Sequence, residues 1–347
     1  MEKDLSRSAI LKREQGKISH QQAIEHDYQV IDVRSAAEFL AGSMSGAINI
    51  PLFDENERSV VGTIYHHGGK DQAIKQGFEI VEKKLNDLLG AFENLKNRPL
   101  AVFCARGGMR SLSIVNLLLQ SGYKASQIEG GYKKYRHDTL EILENFSPKL
   151  IVIHGLTGTG KTRILQHLQN SIDLEELAKH RSSLFGGLER EPSNQRSFEG
   201  QFVKVISDLG AEPYFVEGES RKIGRVFIPK PFALAMKEAV LVNVHCSLET
   251  RIARIVEDYP VTSDNKREEI LDILRSLKQK MGTERVEEMC DLLMGGRLNE
   301  LVRILLVDYY DRRYARSMSC YQFDLEISSE DIKGAAEALT LFRRRFL

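Results

Sequence analysis

The stretch Leu150-Ile151-Val152-Ile153-His154-Gly155-Leu156-Thr157-Gly158-Thr159-Gly160-Lys161-Thr162 decides how the second half of the chain folds. The run from Leu150 to His154, apolar and largely β-branched, reads as a buried strand. Residues 155–162 fit G-x-x-x-x-G-K-[S/T] in full, and a helix is expected to open near Lys161. Glycines let successive backbone N–H groups turn inward as an anion nest, and the helix behind adds its positive N-terminal dipole. On this pattern Gly155, Thr157, Gly158, Thr159 and Gly160 form the cradle. Lys161 brings a point charge to the outer phosphate, and the Thr162 hydroxyl can ligate magnesium. A strand in front and a helix behind argue against a chance glycine-rich turn. The motif specifies a di- or triphosphate site and is silent on hydrolysis.

Downstream, Tyr214–Glu217 reads as another strand that ends in a carboxylate and runs into Gly218-Glu219-Ser220-Arg221. Glu217 or Glu219, at the C-terminal end of a strand, can hold a metal or a polarised group beside the phosphates. Such acids cap loops as often. Arg221 and Lys222 can reach an anion or serve as surface charge. Val240–His245 reads as a further strand. Beyond about Arg251 strand signals thin out, and Lys266–Gln279, Glu284–Leu293 and Glu300–Tyr310 read as amphipathic helices. The run Phe342-Arg343-Arg344-Arg345-Phe346 reads as a solvated helix end.

Upstream, Tyr28–Asp32 and Leu100–Phe103 read as buried strands, and Ser111–Ser121 as a helix lying on a sheet. Strands alternating with helices imply βαβ units and a parallel sheet. The pattern breaks at Asn145-Phe146-Ser147-Pro148-Lys149, which places a boundary there. The expected architecture is α/β: a parallel-sheet domain over residues 1–145, then a phosphate-loop domain over 146–347 with a helical C-terminal region.

Composition limits the alternatives. A chain of 347 residues suggests about two domains and can bury its own core. With 42% hydrophobic and 28% charged residues it is neither disordered nor fibrous. Lys+Arg and Asp+Glu both number 49, so a globally basic nucleic-acid coat is excluded while a local basic patch is not. Cys104, Cys246, Cys290 and Cys320 form no C-x-x-C pair, which argues against structural zinc. The charged start lacks the apolar core of a signal peptide, and no apolar run approaches a membrane span. A reducing cytoplasm with free thiols is expected.

The second chemical motif is Cys104-Ala105-Arg106-Gly107-Gly108-Met109-Arg110-Ser111. It too lies between an expected strand and an expected helix. Loop N–H groups aimed at the sulfur, Arg106, Arg110 and the helix N-terminus would favour thiolate over thiol. A cysteine so placed is a nucleophile or a carrier of a persulfide-like group. The bland alternative is a buried structural cysteine, the favoured description for Cys246, Cys290 and Cys320.

Taken with Val30-Ile31-Asp32-Val33-Arg34 and Glu38, Gly46-Ala47-Ile48-Asn49-Ile50-Pro51, and Ile128-Glu129-Gly130-Gly131, the Cys104 loop resembles that of a rhodanese domain over roughly residues 15–140. The resemblance implies a five-stranded parallel sheet with helices on both faces and a cysteine carrying sulfur or selenium. One feature departs from the common pattern. Five residues separate Cys104 from Arg110, one more than in the usual loop, as in cysteine phosphatases whose loop closes around a phosphate. That size implies a phosphorus-containing donor such as selenophosphate, rather than thiosulfate.

A rhodanese domain joined to a P-loop domain is similar to the bacterial tRNA 2-selenouridine synthase family. Further stretches carry the likeness: His180-Arg181-Ser182-Ser183-Leu184-Phe185-Gly186-Gly187, Gln195-Arg196-Ser197-Phe198-Glu199, and Glu217 to Gly224. The resemblance implies a cytoplasmic transferase acting on wobble 2-thiouridine in the anticodon loop of tRNA. Geranyl diphosphate alkylates the sulfur, and selenium from selenophosphate then replaces the S-geranyl group. The P-loop would hold the diphosphate, with magnesium as the candidate ion, and no covalently bound cofactor is implied. Cys104, with Arg110 and Arg106, would serve the selenium step.

RNA contacts are expected where basic residues gather: Arg251 and Arg254, Arg312, Arg313 and Arg316, and Arg343–Arg345. Tyr309, Tyr310 and Tyr314 interleave with them as base-stacking candidates, though core tyrosines are the favoured description. A competing function is a P-loop ATPase or kinase coupled to a rhodanese sulfurtransferase in tRNA thiolation. A more distant one is a non-catalytic binding module, which the presence of Cys104 disfavours.

Overall fold

The computed structural model describes residues 16–347 except 182, 187, 189 and 190, and only the backbone of 316 and 317. Ser182 and Gly187 of the family-like stretch and the Arg316 side chain therefore lie outside the described residues. The described residues form two compact units. The first takes in residues up to Ile142 together with Arg196–Lys204, and the second Leu143–Gln195 with Val205–Leu347.

The first unit is built on a parallel sheet of five strands: β1 (Lys17–Ile18), β2 (Gln29–Asp32), β3 (Ile48–Asn49), β4 (Leu100–Phe103) and β5 (Ala125–Ile128), in the order β1-β5-β4-β2-β3. Every residue of β4 is buried, as a central parallel strand covered on both faces requires. The helix after it runs Met109–Gln120, starting two residues earlier than Ser111 because Gly108 serves as its N-cap. Between β3 and β4 lies a long helix, Glu55–Lys83, broken where Gly69 adopts φ 82°. The segment Arg196–Lys204 packs here because Gly200 lets the backbone approach Tyr135, where a Cβ would lie 2.6 Å from the phenol oxygen. Glu199 pairs with Arg136 at the same place.

The second unit holds β6 (Leu150–His154), β7 (Ser171–Ile172), β8 (Tyr214–Glu217), a small hairpin of β9 (Lys222–Ile223) and β10 (Val226–Phe227), then β11 (Val240–His245) and β12 (Leu325–Ser328). Its five-stranded sheet is parallel, ordered β12-β11-β6-β8-β7. β12 lies beyond Arg251, in the region where strand signals thin out. Its Leu325-Glu326-Ile327-Ser328 alternates half-buried and exposed residues, as an edge strand does, so it gives no continuous apolar run.

The helical region comprises Leu248–Asp258, Asp264–Arg275, Lys278–Met281, Thr283–Met294 and Leu298–Ile304. The expected helix Glu300–Tyr310 instead passes into a π-helical turn over Leu305–Asp311. These elements close an apolar cluster around Leu274, Val286, Met289 and Leu306. Among the described residues no helix is long and apolar enough to cross a membrane.

Candidate functional site

Two loops stand at the C-terminal ends of central parallel strands, where α/β sheets place their ligands. The first follows β6. Gly160 caps the short helix Lys161–Leu165 in a left-handed conformation at φ 87°, which suits glycine and turns the chain sharply into the helix. The Lys161 ammonium donates to the Gly155 carbonyl at 2.9 Å, spanning the loop. The Thr162 hydroxyl donates to Glu217 at 3.3 Å.

Glu217, at the end of β8, is buried. Burial, then the nearby carboxylates Glu175, Asp173 and Glu219, push its carboxyl well above the usual range, while Lys161 pulls the other way. Carboxylate oxygens of Glu175, Glu217 and Glu219 lie within 4.8 Å of one another. The Glu175 N–H also donates to Glu217 at 3.3 Å. Arg221 is exposed. His154, which ends β6, packs against Tyr321 with ring centroids 4.4 Å apart and the planes tilted by 33°. Burial and the Lys161 charge lower its pKa to about 4.

The loop carbonyls are held from behind by two buried arginines. Arg251 donates to the Thr157 carbonyl at 2.8 Å and forms a bidentate pair with Asp311. Arg254 donates to the Thr159 carbonyl at 2.9 Å, and the Ser329 hydroxyl joins it at 2.8 Å. A planar trans peptide sets N–H opposite C=O, so these bonds aim the Gly158 and Gly160 N–H groups to the nest side. Arg251 and Arg254, 5% and 7% exposed, are thus braces of the phosphate loop and not an RNA-facing surface. An unpaired buried guanidinium would be costly, and the loop carbonyls with Asp311 supply the partners.

Of the other basic candidates, Arg312, Arg313, Arg344 and Arg345 are exposed, while Arg343 donates to the carbonyls of Pro213 and Ala211. Tyr309 and Tyr310 are buried in the helical cluster and Tyr314 packs against it, as core tyrosines.

The second loop follows β4. Cys104 belongs to an apolar cluster with Val33, Ile114 and Val115 and is 3% exposed. Its Sγ nevertheless accepts the Gly108 N–H and the Ser111 hydroxyl, each at 3.2 Å. Gln127 of β5 donates to the Gly107 and Gly108 carbonyls at 3.0 and 3.1 Å and to the Ser111 oxygen at 2.8 Å. Backbone N–H groups of Tyr132 and Lys133 take the Cys104 and Ala105 carbonyls, each at 2.9 Å. With those carbonyls turned outward, the peptide N–H groups of Ala105, Arg106, Gly108 and Met109 turn inward. Gly131 makes this closure possible: at φ 57° a Cβ there would lie 2.2 Å from the Cys104 carbonyl.

The loop also carries charge. Arg106 is exposed. Arg110 and Arg58 converge on one oxygen of Glu38, at 3.0 and 2.9 Å. Although partial burial works against it, the paired arginines hold the Glu38 carboxyl below the usual range.

Sequence reasoning missed Glu175, Gln127, Arg58 and the bracing role of Arg251 and Arg254. Asp173, which caps the helix Leu174–Ala178, was a legible helix start, but nothing local ties that helix to the phosphate loop.

The signature of the tRNA 2-selenouridine synthase AAA domain matches residues 148–340, and that of the rhodanese-like domain residues 18–138. A tRNA 2-selenouridine synthase of Nitrosomonas europaea is 33% identical over 344 residues, 84% of this chain and 89% of that one. Its counterpart in Marinobacter nauticus is 31% identical over 92% of this chain and 95% of its own. A solved N-terminal domain from Clostridium difficile 630, of a protein named for ATP/GTP binding, shares 44% identity over 36% of this chain and 99% of that domain, with a TM-score of 0.35. On the two signatures and the length of the matching relatives, the chain belongs to the tRNA 2-selenouridine synthase family.

Proposed function

We propose that this protein is a cytoplasmic transferase that converts wobble 2-thiouridine of tRNA to 2-selenouridine through an S-geranyl intermediate. The observation that carries this is two anion cradles on one chain with different centres: a cysteine sulfur in one, a lysine flanked by carboxylates in the other.

In the first step the thiouridine sulfur attacks the allylic carbon of geranyl diphosphate. The C–S bond forms, the C–O bond breaks, and the electron pair leaves on the diphosphate. Lys161 and the inward N–H groups of the Gly155–Thr162 loop stabilise the charge that develops there. The hydroxyl of Thr162 and the carboxylates of Glu217, Glu175 and Glu219 are hard oxygen donors that fit magnesium. Bound there, the ion would neutralise diphosphate charge.

In the second step selenium from selenophosphate displaces the S-geranyl group. The C–Se bond forms, the C–S bond breaks, and geranyl thiol departs with the electron pair and a proton, while the P–Se bond breaks with its pair on selenium and water takes the phosphoryl group as phosphate. The Cys104 loop, with Arg110 and Arg106 at its mouth, serves this step. tRNA is the partner, and the exposed Arg312, Arg313, Arg344 and Arg345 are the candidate phosphate contacts.

The test is mass spectrometry of wobble nucleosides after purified protein is incubated with thiolated tRNA, geranyl diphosphate and selenophosphate. S-geranyl and selenium nucleosides are expected in succession. Absence of both, with ATP consumed instead, would sink the proposal.

A further inference from the structure

We infer that Cys104 attacks the phosphorus of the selenium donor, forming a phosphocysteine and releasing hydroselenide, so that this loop is a phosphoryl-transfer site. The inference rests on selenophosphate being the donor and goes beyond it by naming the atom attacked and the covalent intermediate.

Three features of the loop carry it. The first is its size. The five residues between Cys104 and Arg110 make a ring of backbone whose inward N–H groups match the three oxygens of a phosphoryl group. The second is Arg110 itself. Glu38 takes its Nη1, which fixes the guanidinium and leaves the opposite edge to meet two phosphoryl oxygens as a fork. Two guanidiniums on one carboxylate also leave a net positive charge at the loop mouth. The third is Ser111. Its single hydroxyl hydrogen is shared between Cys104 Sγ and the Gly108 carbonyl at 3.1 Å, while Gln127 donates to its oxygen from the other side. A hydroxyl so held can turn to the sulfur when the S–P bond breaks and charge returns to it.

Electron balance favours phosphorus over selenium as the target. Attack on selenium would expel phosphorus with the P–Se electron pair as reduced phosphite and leave selenium oxidised in an S–Se bond, which calls for a reductant that nothing here supplies before selenide can be released. Attack on phosphorus needs none. The S–P bond forms, the P–Se bond breaks, and the pair leaves on selenium as hydroselenide, a weak base that departs without a protonating acid. Water then attacks phosphorus, the S–P bond breaks, and phosphate, a proton and the Cys104 thiolate are regenerated. The freed hydroselenide is the nucleophile that replaces the S-geranyl group.

The experiment mixes the full chain with selenophosphate, anaerobically and without tRNA, and follows phosphate release and the mass of the Cys104 peptide after rapid quenching. A phosphoryl group and a selenium atom add nearly equal mass, so the selenium isotope pattern separates them. We expect a phosphoryl adduct on Cys104 and phosphate release that falls about a thousandfold or more in Cys104→Ser. Ser111→Ala should slow release at least about tenfold while the adduct accumulates, and Ser111→Thr should restore it. Cys104→Ser, which changes one atom, keeps the test sharp should Ser111→Ala not fold. Phosphate release unchanged in Cys104→Ser, or a selenium pattern on the Cys104 peptide, would overturn the inference. p-Nitrophenyl phosphate separates the two levels. Cys104-dependent hydrolysis of it with selenophosphate untouched removes selenophosphate as donor and keeps the phosphoryl-transfer loop.

Discussion

The Cys104 loop and the Gly155–Thr162 loop leave buried parallel strands, turn their carbonyls outward and run into helices, yet they are braced by opposite kinds of group. Neutral donors hold the first: Gln127 and the N–H groups of Tyr132 and Lys133. Its cations are placed otherwise: Arg106 is exposed, and Arg110 shares Glu38 with Arg58. Cations hold the second from behind, through Arg251 and Arg254, and carboxylates stand in front. Placing charge behind a loop preorganises it without obstructing the ligand. Placing it in front adds direct attraction for an anion. A loop centred on a sulfur has no cation at its centre and gains from the second arrangement. A loop that already carries Lys161 can use the first, and its facing acids suit a divalent cation.

The division is broken most directly by crossing the two centres. Cys104→Ala should leave S-geranylation intact and abolish selenium incorporation. Lys161→Ala should cut geranylation by about 10²–10³-fold, yet still convert tRNA supplied already S-geranylated. Nucleoside mass spectrometry reads both, and loss of both products in both variants would refute separate sites.

A smaller effect tests the braces. Arg254→Met removes one donor from the Thr159 carbonyl and leaves it to the Ser329 hydroxyl. It should weaken binding of inorganic pyrophosphate about a hundredfold by misaiming the loop. Arg106→Ala, at the rim of the other loop, should leave pyrophosphate affinity unchanged. Calorimetric titration distinguishes the two, and equal affinities would make Arg254 a packing residue only.

The smallest effect comes from one half-buried histidine in each unit. His20 and His154 both have pKa values lowered to about 4, in each case chiefly by burial. A depressed histidine is neutral when folded and gains a proton on unfolding. Stability is therefore whole above about pH 6.5 and falls as pH drops toward 4. At pH 5.5 the loss is about 1 kcal/mol per histidine. Denaturant titrations at pH 7.5 and 5.5 should show it, and His154→Gln should remove the share of the second unit alone.

The strands Leu100–Phe103, Leu150–His154 and Tyr214–Glu217 were legible because parallel strands buried on both faces are largely apolar runs. β1, β3 and β7 are two residues long and β12 alternates polar and apolar residues, so local pattern could not separate them from loop. The two chemical loops were legible for a related reason. Each is a continuous stretch whose glycines, cysteine or lysine act on their own neighbours.

Arg251 and Arg254 misled because a helix rich in charge reads as solvated from its spacing alone. Their partners, the Thr157 and Thr159 carbonyls, lie 94 and 95 residues away along the chain. Gln127, Arg58 and Glu175 were hidden in the same way, each meeting its loop across the sheet or through a neighbouring connection.

Sequence alone determined which backbone turns into an anion nest and which atom sits at its centre, because those properties are written in adjacent residues. Only the tertiary structure decided what stands behind and in front of each nest. Hydrogen bonds and charge act across a few ångströms of space, and the groups they join here are brought together by parallel strand pairing rather than by position along the chain.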